Sequence, residues 1–190
     1  MVRGLIVTIA MISFSCRQAS QEKINNTQEI TEKHKSNLQL VGDKIQGDFD
    51  GDGKSEFAYM IKIKDQKGNP MGDGTPAEYE IQFSNEKLKP INVGCCEVRL
   101  LNEGDLNNSG RDEISIFQAP MNGCTYSMTT FTFEKKVWKE LVNAFLFPTY
   151  CDPISDEDLQ KRVFKENNNI YYYKTDLNSE DGKLIKVKLS

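Results

Sequence analysis

From residue 38 onward, apolar and polar positions alternate with a period of two. Glu56–Lys64 reads EFAYMIKIK, and Glu78–Ser84 reads EYEIQFS, with Tyr79, Ile81 and Phe83 on one face. Aromatic and β-branched residues alternating with polar ones mark half-buried strands, because successive side chains of a strand point to opposite faces. The same pattern predicts strands at Val98–Leu101, Glu113–Gln118, Tyr126–Phe133, Val137–Val142, Ile170–Lys174 and Leu184–Leu189. Glu134–Lys136 and Ser179–Lys183 read as turns, and the Gly/Pro-rich KDQKGNPMGDGTPA from Lys64 to Ala77 reads as a long loop. One helix is predicted over Asp156–Phe164. Ser155 suits its N-cap, with Asp158 three residues on in capping-box position, and Ile154 and Leu159 occupy the two places of a hydrophobic staple. Asp156, Glu157 and Asp158 lie at the positive end of that helix, so this acidic run is accounted for without a metal. The chain reads as all-β with one short helix.

The first residues break the pattern. MVRGLIVTIAMISFSC has one basic residue, Arg3, then an apolar stretch from Leu5 to Phe14 that is too short to span a bilayer. This is the form of a secretory signal peptide over residues 1–15, and the SFSC ending resembles a lipoprotein lipobox, in the looser form of Bacteroidota with Ser13 where Leu is commoner. The resemblance implies cleavage before Cys16, lipid on its sulfur, and anchorage at the outer membrane, on the periplasmic side or the cell surface. Residues 16–37 then form a polar tether. It carries His34, the one histidine of the 190-residue chain, so schemes that need a structured histidine are disfavoured. Residues 38–190 are left as a single β domain. A net charge of −4 argues against nucleic acid as the main partner.

Export into an oxidising compartment makes the cysteine count informative. Cys95, Cys96, Cys124 and Cys151 remain beyond Cys16. In an extended strand the neighbours Cys95 and Cys96 point to opposite faces, so each is expected to bond Cys124 or Cys151, with the connectivity open. A four-cysteine zinc site is the weaker reading, since no CxxC pair is present.

The densest chemistry lies in GDFDGDGKSEFAYM, residues 47–60. Asp48, Asp50 and Asp52 fall at positions 1, 3 and 5 of a loop, Gly53 at 6, Lys54 at 7 and Glu56 at 9. Alternate side chains on a tightly turning loop converge on one point. Oxygen ligands so placed suit Ca²⁺, with the Lys54 carbonyl as a backbone ligand. Without a cation, four carboxylates repel one another. A second stretch, GDLNNSGRDEISIF from residue 104, puts Asp105, Asn107 and Ser109 at 1, 3 and 5, Gly110 at 6, Arg111 at 7 and Glu113 at 9. Asp105 follows Asp48 by 57 residues, and each loop opens an apolar strand, which is an internal repeat. The second loop has fewer charges and is expected to bind more weakly or to be held by hydrogen bonds alone. An Asp/Gly turn without metal explains it tolerably and explains the first loop poorly.

Position 12 is Tyr59 in one loop and Ile116 in the other, so the bidentate Glu of an EF-hand is missing. The D-F-D-G-D-G-x-x-E stretch followed by an apolar strand instead resembles the FG-GAP/VCBS repeat, the calcium-loop unit of integrin α-chain propellers. The second loop departs from that pattern at Leu106, Asn108 and Ser109. The resemblance implies two tandem propeller-blade-like antiparallel sheets, about residues 38–95 and 96–144, too few for a closed propeller. It further implies a calcium-stabilised binding or structural module, with a protein or glycan partner, rather than a catalyst. The alternative is a secreted hydrolase using paired carboxylates such as Asp112/Glu113 or Asp152/Asp156. Tyr171–Tyr173 is a weaker candidate for a recognition surface.

Overall fold

A computed structural model describes residues 39–179 and 181–190. The expected signal peptide, Cys16 and the tether lie outside the described residues. Within the described residues the chain forms three antiparallel sheets and one short helix. The first sheet has the order β2 (Lys44–Gly47), β3 (Glu56–Lys64), β4 (Glu78–Phe83), β5 (Ile91–Cys95). The second contains β6 (Val98–Gly104), β7 (Glu113–Gln118), β8 (Thr125–Glu134) and β9 (Val137–Pro148), with the two-residue β1 (Val41–Gly42) added beside β6. Two up-and-down sheets of four consecutive strands, cut between residues 95 and 98, match the expected pair of blade-like units. They do not close into a barrel or propeller.

The third sheet is larger than the two strands expected at Ile170–Lys174 and Leu184–Leu189. Helix α1 (Asp156–Gln160) ends early, and β10 (Val163–Glu166) joins β11 (Asn169–Thr175) and β12 (Leu184–Lys188). The capping signals are realised: Ser155 Oγ accepts from the Asp158 amide at 3.1 Å, and Leu159 is fully buried. The residues after the helix are claimed by sheet pairing. Val163 is buried and pairs with Tyr172, a tertiary contact that overrides the helical pattern.

The middle sheet organises the core because both of its faces are covered. Leu100, Ile114, Ile116 and Phe133 pack with Ile45, Phe49, Ile81 and Phe83 of the first unit. Leu101, Phe117, Met128, Val142 and Phe145 pack on the other side with Leu159 and Val163. This is why β7 reads EISIF, a run with no exposed face, in which even Glu113 and Ser115 are buried. Trp138 ties the first two units together: it stacks on Phe83 at 5.0 Å, and its Nε1 donates to the Lys89 carbonyl at 2.8 Å. The three consecutive tyrosines are largely packed. Tyr172 lies against Phe145, while Tyr171 and Tyr173 stack on Phe164.

The cysteine expectation needs correction. Cys124 is bonded to Cys151, and Cys95 and Cys96 are free, with their sulfurs 2.6 Å apart. The assumption of extended geometry fails at Cys96, which takes a φ of 83° just past the end of β5. The chain turns there, so the two side chains come to one side instead of opposite faces. The Cys124–Cys151 bond clamps the open end of the β8–β9 hairpin, beside the Thr125–Pro148 pair, and does not staple one sheet to another. Closing a loop of sequence separation 27 restricts the unfolded chain. Replacing both Cys124 and Cys151 with Ser is therefore expected to cost about 3 kcal/mol in urea unfolding, while the paired Cys95→Ser, Cys96→Ser variant keeps that bond's contribution.

Candidate metal centre

The first loop leaves β2 at Gly47 and enters β3 at Glu56, so its ends are fixed by the Gly47–Glu56 strand pair. Phe49 drives the loop inward: it is fully buried and meets Phe83 edge-on at 5.9 Å. With the apolar position 2 anchored, the odd positions turn toward one another. Asp48 Oδ1 accepts from the amides of Gly51 and Asp52 at 2.9 and 3.1 Å, and its Oδ2 accepts from Gly53 at 2.9 Å. Asp50 Oδ1 accepts from the Asp52 amide at 3.1 Å, and Asp52 Oδ1 from Lys54 at 3.0 Å. Glu56 reaches back across the loop to take the Phe49 amide at 2.9 Å. Gly53 has a φ of 82°, a turn that admits a residue without Cβ most readily.

This folding brings one ligand atom from each of Asp48, Asp50, Asp52 and Glu56 within 4.8 Å of the others. Such a group of carboxylates could hold a metal ion. Each carboxylate oxygen has a second lone pair, so the amide bonds that shape the loop leave acceptor capacity for a cation. Glu56 has its pKa raised, first by burial and then by the three neighbouring aspartates, against the opposing Phe49 amide. A cation among these groups would reverse that crowding and favour the ionised form. The donor set is all oxygen, which selects hard cations over thiophilic ones. Among the described residues, Lys87 is the cation at ion-pair distance from these carboxylates, its Nζ 3.5 Å from Asp50 and 3.7 Å from Asp52.

The second loop repeats four of these bonds, without counterparts to those of the Gly51 and Lys54 amides. Asp105 Oδ1 accepts from Ser109 at 2.9 Å and its Oδ2 from Gly110 at 3.0 Å. Asn107 Oδ1 also accepts from Ser109 at 2.9 Å, and Glu113 reaches back to the Leu106 amide at 2.7 Å. Leu106 takes the place of Phe49 as the buried anchor. Position 4 is left-handed in both loops, at Gly51 and Asn108, and so is position 6, at Gly53 and Gly110.

Its chemistry differs. Glu113 is fully buried, and Thr132 donates to its other oxygen at 2.8 Å. Burial, resisted by the Thr132 and amide hydrogen bonds, pushes its pKa up to about 7. Asn107 is drawn to Thr132, and Lys165 Nζ donates to the Asp105 carbonyl at 3.0 Å and to Asn108 Oδ1. The Arg111 side chain leaves its own loop, and its Nε donates to the Asp50 carbonyl at 3.2 Å. With two carboxylates, one of them deep in the core, the second loop is held by hydrogen bonds within the protein.

A residue that the sequence pattern sets aside joins the two loops. Asp112, at position 8, accepts the Asp48 amide at 3.0 Å through Oδ2, and its own amide donates to the Asp48 carbonyl at 2.8 Å. Asn102 donates to the same Asp112 oxygen at 3.0 Å and to the Gln46 carbonyl at 2.7 Å. The loops approach so closely that a Cβ on Gly51 would stand 2.8 Å from the Arg111 side chain. The carboxylate pairs of the hydrolase reading are placed apart in role: Asp112 faces the first loop, Glu113 faces the core, and Asp156 bonds Arg99 at 2.8 Å. Asp152 borders a separate cavity of about 330 Å³ beside the disulfide.

Comparison with protein-family models, curated proteins and solved structures finds no match for this chain. No helix among the described residues is long and apolar enough to cross a membrane.

A further acid lies close to the second loop. Glu103 has its Oε1 sealed from solvent and without a hydrogen-bond partner, although the residue as a whole is only half-buried. Burial, with the neighbouring Glu113 adding to it, pushes its pKa up to about 8. A raised folded pKa means that the unfolded chain releases this proton first. The contribution is intact below about pH 4.5 and is lost as pH rises toward 8. Chemical unfolding in the presence of chelator should find the Glu103→Gln variant gaining on the parent across that window, by a few kcal/mol at its upper end. A constant difference between the two across the window would contradict this.

Proposed function

We propose that the chain is an exported, membrane-anchored module without catalytic activity, whose β domain is stabilised by Ca²⁺ and serves binding or scaffolding. The observation that carries this reading is the convergence of Asp48, Asp50, Asp52 and Glu56 within 4.8 Å at the entrance of β3. Ca²⁺ fits best among hard cations because it accepts six to eight oxygens in a flexible shell, here supplemented by the Lys54 carbonyl and water. The repeated hydrogen-bond pattern of the two loops supports the likeness to FG-GAP/VCBS repeats, and the second loop, with Asp105, Asn107, Ser109, Glu113 and the Arg111 carbonyl, is the weaker site. The amino-terminal pattern supports lipidation at Cys16 and a place at the outer membrane, facing the periplasm or the cell exterior. Engagement of Asp112, Glu113 and Asp156 in internal bonds supports a non-catalytic reading over the hydrolase.

Calorimetric titration with Ca²⁺ tests the proposal. The parent is expected to give one tight step that Asp50→Ala weakens at least tenfold and Asp105→Ala leaves in place. An undiminished tight step in Asp50→Ala would overturn the assignment.

A further inference from the structure

Beside the first loop, on the side of the β8–β9 turn, lies a cavity of about 420 Å³ lined by Asp50, Lys87, Arg111, Phe133, Lys135 and Lys136. Four of these six residues are cations in a chain whose net charge is −4. They come from separate parts of the sequence: Lys87 from the β4–β5 connection, Arg111 from the second loop, and Lys135 and Lys136 from the hairpin turn. The two loops and the core they share bring these segments together. Phe133, which is buried, contributes an apolar surface.

Two features separate this pocket from an ordinary charged surface. The first is charge balance. Lys87 faces Asp50 and Asp52, but among the described residues no carboxylate lies within ion-pair distance of Arg111, Lys135 or Lys136. Glu134, the acid that begins the turn, is engaged by Lys139 at 2.9 Å and feels Lys135 and Arg111 only from beyond ion-pair distance. Like charges converging on one cavity repel one another unless an anion joins them.

The second is backbone conformation. Glu134 pairs with Val137, so Lys135 and Lys136 are the whole of a two-residue turn, with φ values of 49° and 67°. Positive φ at both positions is the geometry for which Asn-Gly is the relaxed sequence. Two lysines there trade backbone ease for charge, the kind of local strain that collects at functional positions.

We infer that this pocket is a binding site for oxyanion groups, taking a small ligand that carries sulfate, phosphate or carboxylate, held by Arg111, Lys135 and Lys136 with Lys87 at its edge. Guanidinium supplies paired donors to a planar or tetrahedral oxyanion, and the ammonium groups supply point charges around it. The inference does not rest on a cation in the first loop, because among the described residues no carboxylate lies at ion-pair distance from Arg111, Lys135 or Lys136.

The test is a titration of the full chain with inorganic sulfate and, separately, with succinate, at constant ionic strength and in the presence of chelator. Binding is followed by amide chemical shifts. The parent should give saturable shifts centred on Lys87, Arg111, Lys135 and Lys136, and the stronger of the two anions identifies the ligand's group. The Lys135→Asn, Lys136→Gly double variant should weaken that binding at least tenfold while raising the melting temperature by a few degrees, since it relaxes the turn. Arg111→Gln should weaken binding as well. Shifts that do not saturate, shifts equally strong in the double variant, or a melting temperature lowered by that variant would each overturn the inference.

Discussion

The paired hydrogen bonds between Asp48 and Asp112 are the constraint on which the rest of the domain depends. One backbone bond and one carboxylate bond join the first residue of one loop to the eighth of the other, and Asn102 anchors the same carboxylate to β2. The loops are thus two halves of one junction. Each also buries a hydrophobic anchor, Phe49 in the core shared by the first two sheets and Leu106 in the core on the opposite side of the middle sheet. A force on either loop is felt in both layers, because tightly packed cores transmit small shifts instead of absorbing them.

The two loops solve the same folding problem with different chemistry. Both use an aspartate at position 1 to gather amides and a glutamate at position 9 to close the ring. The second loop then buries its glutamate against Thr132 and fills its surroundings with Lys165 and Asn107, so its polar atoms find partners inside the protein. The first loop keeps four carboxylates close together, Asp52 exposed and Glu56 buried, with Lys87 as the only cation at ion-pair distance among the described residues. The two loops are alike in backbone and differ in charge, which makes the first the stronger candidate to hold a cation. Disulfide Cys124–Cys151 acts elsewhere, on the far end of the β8–β9 hairpin, so the disulfide and the acidic loop act on different parts of the fold.

Much of this was legible in the sequence because it rests on local periodicity. EFAYMIKIK is a strand through its full length, and Glu113–Gln118 begins and ends where the pattern places it. The loop positions could be read because their spacing alone decides which side chains converge. What escaped reading depends on contacts between distant residues. Strands β1 and β2 are short and lack a full alternation, and β5 carries Gly94 and Cys95 where a pattern expects β-formers. Val163–Glu166 continues a good helical segment and becomes a strand only because Tyr172 waits to pair with it. The role of Asp112 was invisible for the same reason: an acid that points out of its own loop gives no sign of the neighbouring loop it enters. The cysteine pairing failed on a single left-handed residue, Cys96, which no alternation pattern encodes.

The central claim is that a cation held by the first loop stiffens both loops through their junction. Amide hydrogen exchange measured with and without Ca²⁺ addresses it most directly. The account predicts slower exchange at Gly51, Asp52, Gly53 and Lys54 on adding Ca²⁺, and also at Asp112 and Gly110 across the junction, with Asp112→Ala abolishing the second effect and retaining the first. Unchanged exchange in the first loop, or protection there that never reaches the second, would contradict it.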